Sequence, residues 1–165
     1  VYANKLYRWM FRTISKANIP VTQLPPWNDF AANFSPEIQR LLSHGYGRTL
    51  YFKNCSVRKA IREAESIEGV DAATAAQGIA FAYAMLNYND LHCVLETGSD
   101  IKDEAIAEGF RNGLVYALAF WEWPYPGFLN SLQARSDRQN TFISAAKALA
   151  DRCRSTNRFI GFGTA

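Results

Sequence analysis

Ala72 to Asn89 reads AATAAQGIAFAYAMLNYN, and Ile101 to Trp121 reads IKDEAIAEGFRNGLVYALAFW; together these two stretches decide the fold. The first carries no charge for 18 residues, the length of a short membrane span. About half of its apolar residues are alanines, and Thr74, Gln77, Asn87 and Asn89 dilute it, so the reading is a buried core helix rather than a span. Ala72, Ala76, Ala80 and Ala84 recur every four residues, and Ala105, Gly109, Gly113 and Ala117 repeat the spacing in the second stretch. Residues four apart share a helix face, and small ones let another backbone come close. These two helices are therefore expected to pack against each other as the centre of the fold.

Working outward, Asp71 is placed to cap the first of these helices. Upstream, Ser56 caps a predicted helix that puts Val57, Ala60, Ile61, Ala64 and Ile67 on one face and Arg58, Lys59, Arg62 and Glu63 on the other. Ser35-Pro36-Glu37 is another helix start, expected to run to a stop at Gly45. After Gly45-Tyr46-Gly47, read as a helix-ending turn that His44 complements, Arg48 to Lys53 has the aromatic and β-branched content of one short strand. Tyr2, Leu6, Trp9, Met10 and Ile14 predict an opening helix, and three prolines between residues 20 and 27 predict an extended strap.

Downstream, residues 89–96 predict a short helix ending at Gly98, with Ser99 or Asp100 capping the next. Trp121 to Phe128 breaks that next helix and gathers aromatic surface, a last helix spans about 136–154, and an apolar tail follows at 159–163. The expectation is one all-α domain over 1–165, with six or seven helices around the tightly packed pair and at most one short strand.

The chain has 165 residues, with 18 Lys and Arg against 15 Asp and Glu. Its 48% hydrophobic content excludes a disordered chain, and 10 Gly and 6 Pro without a period exclude collagen-like or low-complexity ones. The small basic surplus is scattered, so no nucleic-acid partner is expected. Cys55, Cys93 and Cys153 form no C-x-x-C, which argues against a disulfide framework or zinc finger and for reduced thiols in the cytoplasm. Two N-x-S/T triplets, at Asn33 and Asn54, are short enough to arise by chance. No signal peptide is visible, and a first residue of Val rather than Met suits a processed chain or a piece of a longer one.

No phosphate loop, nucleophile elbow or H-E-x-x-H is present. His92 and Glu96, four apart, could share a face as a metal pair or an oriented imidazole, though two ligands define no metal site. Asn89-Asp90-Leu91-His92-Cys93 only partly matches a diphosphate-metal triad, since Cys93 and Thr97 stand where Ser/Thr and Glu are needed. No cofactor or metal is expected.

From His44 to about residue 135 the chain resembles a family of bacterial proteins of unknown function associated with enediyne polyketide gene clusters. The resemblance rests on Gly45-x-Gly47-Arg48-x-Leu50-x-Phe52, on Gly78-Ile79-Ala80-x-Ala82-Tyr83-Ala84, and on Ala107-x-Gly109-Phe110. It implies a role near specialised metabolism and supplies no catalytic residues. Two functions follow as expectations. One is a helical accessory protein or enzyme holding a hydrophobic small molecule near Tyr46, Arg48, Tyr51, His92 and Trp121, with Arg48 binding an anionic or carbonyl group. The other is a non-catalytic subunit that grips protein partners through its strap and aromatic surface. The positions of Trp9, Trp27, Trp121 and Trp123, converging on a cavity or facing outward, would separate them.

Overall fold

A computed structural model describes residues 27–31 and 33–155, and all of their regular structure is helical. The expected opening helix, the strap ahead of Trp27 and the apolar tail lie outside these residues. Trp27–Ala31 forms a short α1. Four longer helices follow: α2 (Pro36–Asn54), α3 (Val57–Ser66), α4 (Ala72–Leu86) and, after a 3-10 turn at Tyr88–Asp90, the six-residue α5 (Leu91–Glu96). The long α6 (Glu104–Glu122), the short α7 (Phe128–Ser131) and α8 (Asp137–Ser155) complete the fold. No described helix is long and apolar enough to cross a membrane.

The starts follow from the sequence. Ser56 Oγ accepts the Lys59 amide at 3.4 Å, and Asp71 Oδ1 accepts that of Thr74 at 2.7 Å. Asp103 Oδ1 accepts the Ile106 amide at 3.0 Å, so α6 is capped by Asp103 and not by Ser99 or Asp100. Each such bond satisfies a donor left free in the first helical turn.

Helix α4 is the middle layer, packed most extensively on α6 and next on α2. The contact with α6 is the expected pair, and the glycines show how tight it is. A Cβ on Gly109 would overlap the Ala73 carbonyl oxygen, and one on Gly113 would overlap that of Gln77 and lie 2.7 Å from the Ala80 Cβ. The facing row on α4 is thus Ala73, Gln77 and Ala80, of which only Ala80 belongs to the predicted alanine row. On the opposite face of α4, a Cβ on Gly78 would overlap the His44 carbonyl oxygen, and one on Gly47 would overlap that of Ala75. Three helices therefore stack backbone against backbone.

That second contact corrects the reading of residues 44–53. The helix does not stop at Gly45 and no strand follows it: α2 runs unbroken to Asn54. Its buried face is Ser43, His44, Gly47, Leu50 and Tyr51, a helical period whose first three members are polar or small and so leave no apolar pattern. Glycine inside a helix costs about 1 kcal/mol against alanine, and at Gly47 the close approach to α4 offsets it. Around the stack, Leu50, Ile79, Phe110, Leu114, Leu118 and Val94 are fully buried, each burial worth ~1.5–3 kcal/mol.

At the far end of α6, Glu122 is buried, and its carboxylate organises the turn that the Trp121–Phe128 break creates. It accepts the amides of Gly127 at 2.7 Å and Leu129 at 2.8 Å and pairs with Arg154 at 2.6 Å. Burial alone would raise its pKa; those two amides and Arg154 outweigh burial and hold it below the ordinary carboxylate value.

Candidate functional site

Two clefts open on the flanks of this stack. The larger, about 570 Å³, lies where α2 turns into α3 and is lined by Tyr51, Cys55, Ser56, Val57, Arg58, Lys59, Arg62, Tyr83 and Thr97. Its back wall is aromatic: Tyr51 and Tyr83 meet edge to face with ring centroids 5.7 Å apart. Their hydroxyls are held in place, Tyr51 accepting from Asn87 Nδ2 at 3.3 Å and Tyr83 sharing a hydrogen bond with Thr97 Oγ1 at 3.0 Å. Burial pushes the Tyr83 phenol up, so it stays neutral.

The opposite wall is the first turns of α3. Arg58 pairs with Asp100 at 2.9 Å, whereas neither Lys59 nor Arg62 has an ion pair among the described residues. Of the two acids of α3, Glu63 and Glu65, Glu63 is engaged elsewhere, accepting from Lys53 at 2.6 Å and Asn54 at 2.7 Å. Two open cations and a capped helix start thus face a tyrosine wall, a combination suited to an anionic group with a flat apolar body.

The smaller cleft, about 260 Å³, is lined by Leu91, His92, Leu95, Ser131, Leu132, Gln133, Gln139 and Ile143. His92 Nδ1 lies 2.9 Å from Gln139 Oε1, and Gln139 Nε2 donates to Glu96 Oε1 at 2.9 Å. Glu96 also accepts from Ser136 Oγ at 3.0 Å. These bonds, Gln139 first, hold the Glu96 carboxyl below its ordinary pKa. His92 and Glu96 are linked, as their spacing suggested, but through Gln139 of α8, which is 47 residues from His92 and was not singled out in the sequence.

The five residues read from the sequence as one pocket are divided. Tyr51 lines the larger cleft and His92 the smaller. Tyr46 packs edge to face on the buried Trp27, centroids 5.2 Å apart, and Arg48 lies over the Phe81 ring at 5.8 Å. Trp121 lines neither cleft; it clusters with Tyr88, Tyr125 and Phe128 and, through Phe120, reaches the Phe81 ring over which Arg48 lies. Trp27 is buried whereas Trp123 is 55% exposed, so the tryptophans do not converge; Trp9 lies outside the described residues. In the sequence, Lys59 and Arg62 stand out as a helix's charged face, and Tyr83 as one of the aromatics, with Tyr46 and Tyr51, that could line a pocket. The described residues hold no group of three or more potential metal ligands. Comparison with known protein families, curated proteins and solved structures finds no match.

Proposed function

We propose that the protein is a helical accessory protein of specialised metabolism that binds a hydrophobic small molecule with an anionic end in the Tyr51–Tyr83 cleft. The observation that carries this reading is the pairing, in the larger cleft, of an edge-to-face tyrosine wall with the cations Lys59 and Arg62. The tyrosines contact the conjugated or aliphatic body, Lys59 and Arg62 take the carboxylate, and Ser56 and Thr97 supply hydroxyls at the edge. The anion-binding role expected of Arg48 passes to these α3 cations, because Arg48 is stacked on Phe81. The resemblance to the enediyne-associated family supports the metabolic setting. Free thiols at Cys55, Cys93 and Cys153 support a cytoplasmic location.

Titration with a fluorescent conjugated polyene carboxylate tests it. The reading expects saturable binding, weaker for the polyene alcohol of the same length and about tenfold weaker for the Lys59→Ala/Arg62→Ala double variant, which corresponds to ~1.4 kcal/mol. Equal binding of acid and alcohol, or an unaffected double variant, contradicts it.

A second reading, a subunit of a larger assembly, is favoured by one observation: Leu86, Tyr88, Trp123 and Tyr125 are each at least half exposed near the end of α6. Exposed aromatics of this kind are enriched at protein interfaces.

A further inference from the structure

The smaller cleft holds a histidine whose tautomer is fixed by its neighbours. Gln139 is buried, and both ends of its side-chain amide have unambiguous partners. The Arg135 backbone amide, which can only donate, lies 2.9 Å from one end, and that end must be the oxygen. The ionised Glu96 carboxylate, which can only accept, lies 2.9 Å from the other, and that end must be the nitrogen. The atom facing His92 Nδ1 at 2.9 Å is therefore an acceptor, so Nδ1 carries the proton. A neutral imidazole with its proton on Nδ1 presents a lone pair on Nε2. That atom has no hydrogen bond among the described residues and is not among the fully buried polar atoms left unsatisfied, so it is not sealed from its surroundings. The negative charge on Glu96 polarises the intervening amide and strengthens the hold on Nδ1–H.

Beside His92 the cleft is lined by four aliphatic side chains, Leu91, Leu95, Leu132 and Ile143, and by the polar Ser131, Gln133 and Gln139. At about 260 Å³ the space is just below the ~300 Å³ lower end of drug-sized pockets. We propose that this is a second binding site, in which Gln139 acts as a positioning residue for His92 and Nε2 accepts a hydrogen bond from a small, mainly aliphatic ligand bearing an O–H or N–H. A ligand of the same shape offering only a carbonyl would set acceptor against acceptor and leave Nε2 unpaired, which is costly once water is displaced. The inference does not depend on the larger cleft, from which His92 is absent.

Two measurements on the full chain test it. Long-range proton–nitrogen NMR at a pH where imidazoles are neutral reads the tautomer directly. The chain has two histidines, so loss of one signal set in His92→Gln assigns it. The proposal expects His92 in the Nδ1–H form, opposite to the preference of free imidazole side chains, and a shift toward Nε2–H in Gln139→Met. An Nε2–H signal in the unmodified protein overturns it, even if the variant does not fold. Cyclohexanol and cyclohexanone then probe the ligand class by methyl shifts of Leu91, Leu95, Leu132 and Ile143. The alcohol is expected to bind about two- to tenfold more tightly, the ratio a net hydrogen bond supports. Equal binding, tighter binding of the ketone, or no saturable shift with either compound overturns the binding site.

Discussion

The stack of α2, α4 and α6 and the flank where α5 meets α8 are held by opposite means. In the stack the contacts that matter are made where side chains are missing: Gly47 and Gly78 interlock on one face of α4, Gly109 and Gly113 on the other. On the flank, helices stand apart and long polar side chains bridge them, with Gln139 reaching His92 and Glu96, and Arg138 Nε donating to the Leu95 carbonyl at 3.0 Å. Backbones in contact leave no room for a ligand. Both clefts accordingly lie on the flanks, where side chains set the spacing and their chemistry is available. The fold's rigidity and its binding capacity are thus assigned to different parts of the chain.

The sharpest way to break that contrast is to put a side chain into the stack. Gly78→Val sets three carbons where a single Cβ already overlaps the His44 carbonyl, and the neighbour is backbone that cannot rotate away. We expect a loss above ~3 kcal/mol, a large fraction of a domain's stability, read as an unfolded or molten chain by circular dichroism and urea melting. Gly47→Ala should cost somewhat less, ~2–3 kcal/mol, by the same overlap with Ala75. Two residues earlier in α2 the sign reverses. Gly45 has nothing within 4 Å of where its Cβ would be, so Gly45→Ala should stabilise by ~1 kcal/mol through helix propensity. Destabilisation by both alanines to the same extent would mean that the stack is not the tight element.

Between these in size lies a pH effect from His44, buried in the same face of α2. Burial first, and the charge of Arg48 second, lower its pKa to about 4 from the ordinary 6.5. Because the folded value is the lower one, the unfolded chain takes up the proton first. Stability from this group is complete above the unfolded value and is lost as pH falls toward the folded one. From pH 7 to pH 5 the loss is about 2 kcal/mol. Urea unfolding of the parent and of His44→Gln at both pH values measures it: the variant should show the smaller change, and equal slopes would place the pH dependence elsewhere.

How much of this was legible in the sequence follows the same division. The α4–α6 pair could be read because alanine and glycine recur at a matching helical interval in both stretches, the first of them uncharged, and caps such as Ser56 and Asp71 are local signals. The α2–α4 contact could not, because Gly45-Tyr46-Gly47 reads as a turn by local propensity, and only the approach of α4 reveals Gly47 as a packing position. For the clefts, some members were visible, Tyr51 and Tyr83 in one and His92 in the other, but which side chains meet depends on how separate helices pack. Gln139 is an ordinary polar residue of α8 until α5 is laid beside it.

The central claim is that the flank of the stack, not the exposed aromatics beyond α6, carries the binding function. Native mass spectrometry of the protein purified from its own source, beside a denatured sample, tests it most directly. The account predicts an added mass of small-molecule size, acidic in character, that disappears on denaturation and is absent from the Lys59→Ala/Arg62→Ala variant. A specific complex with other chains that survives in that variant, with no small molecule in either protein, would contradict it.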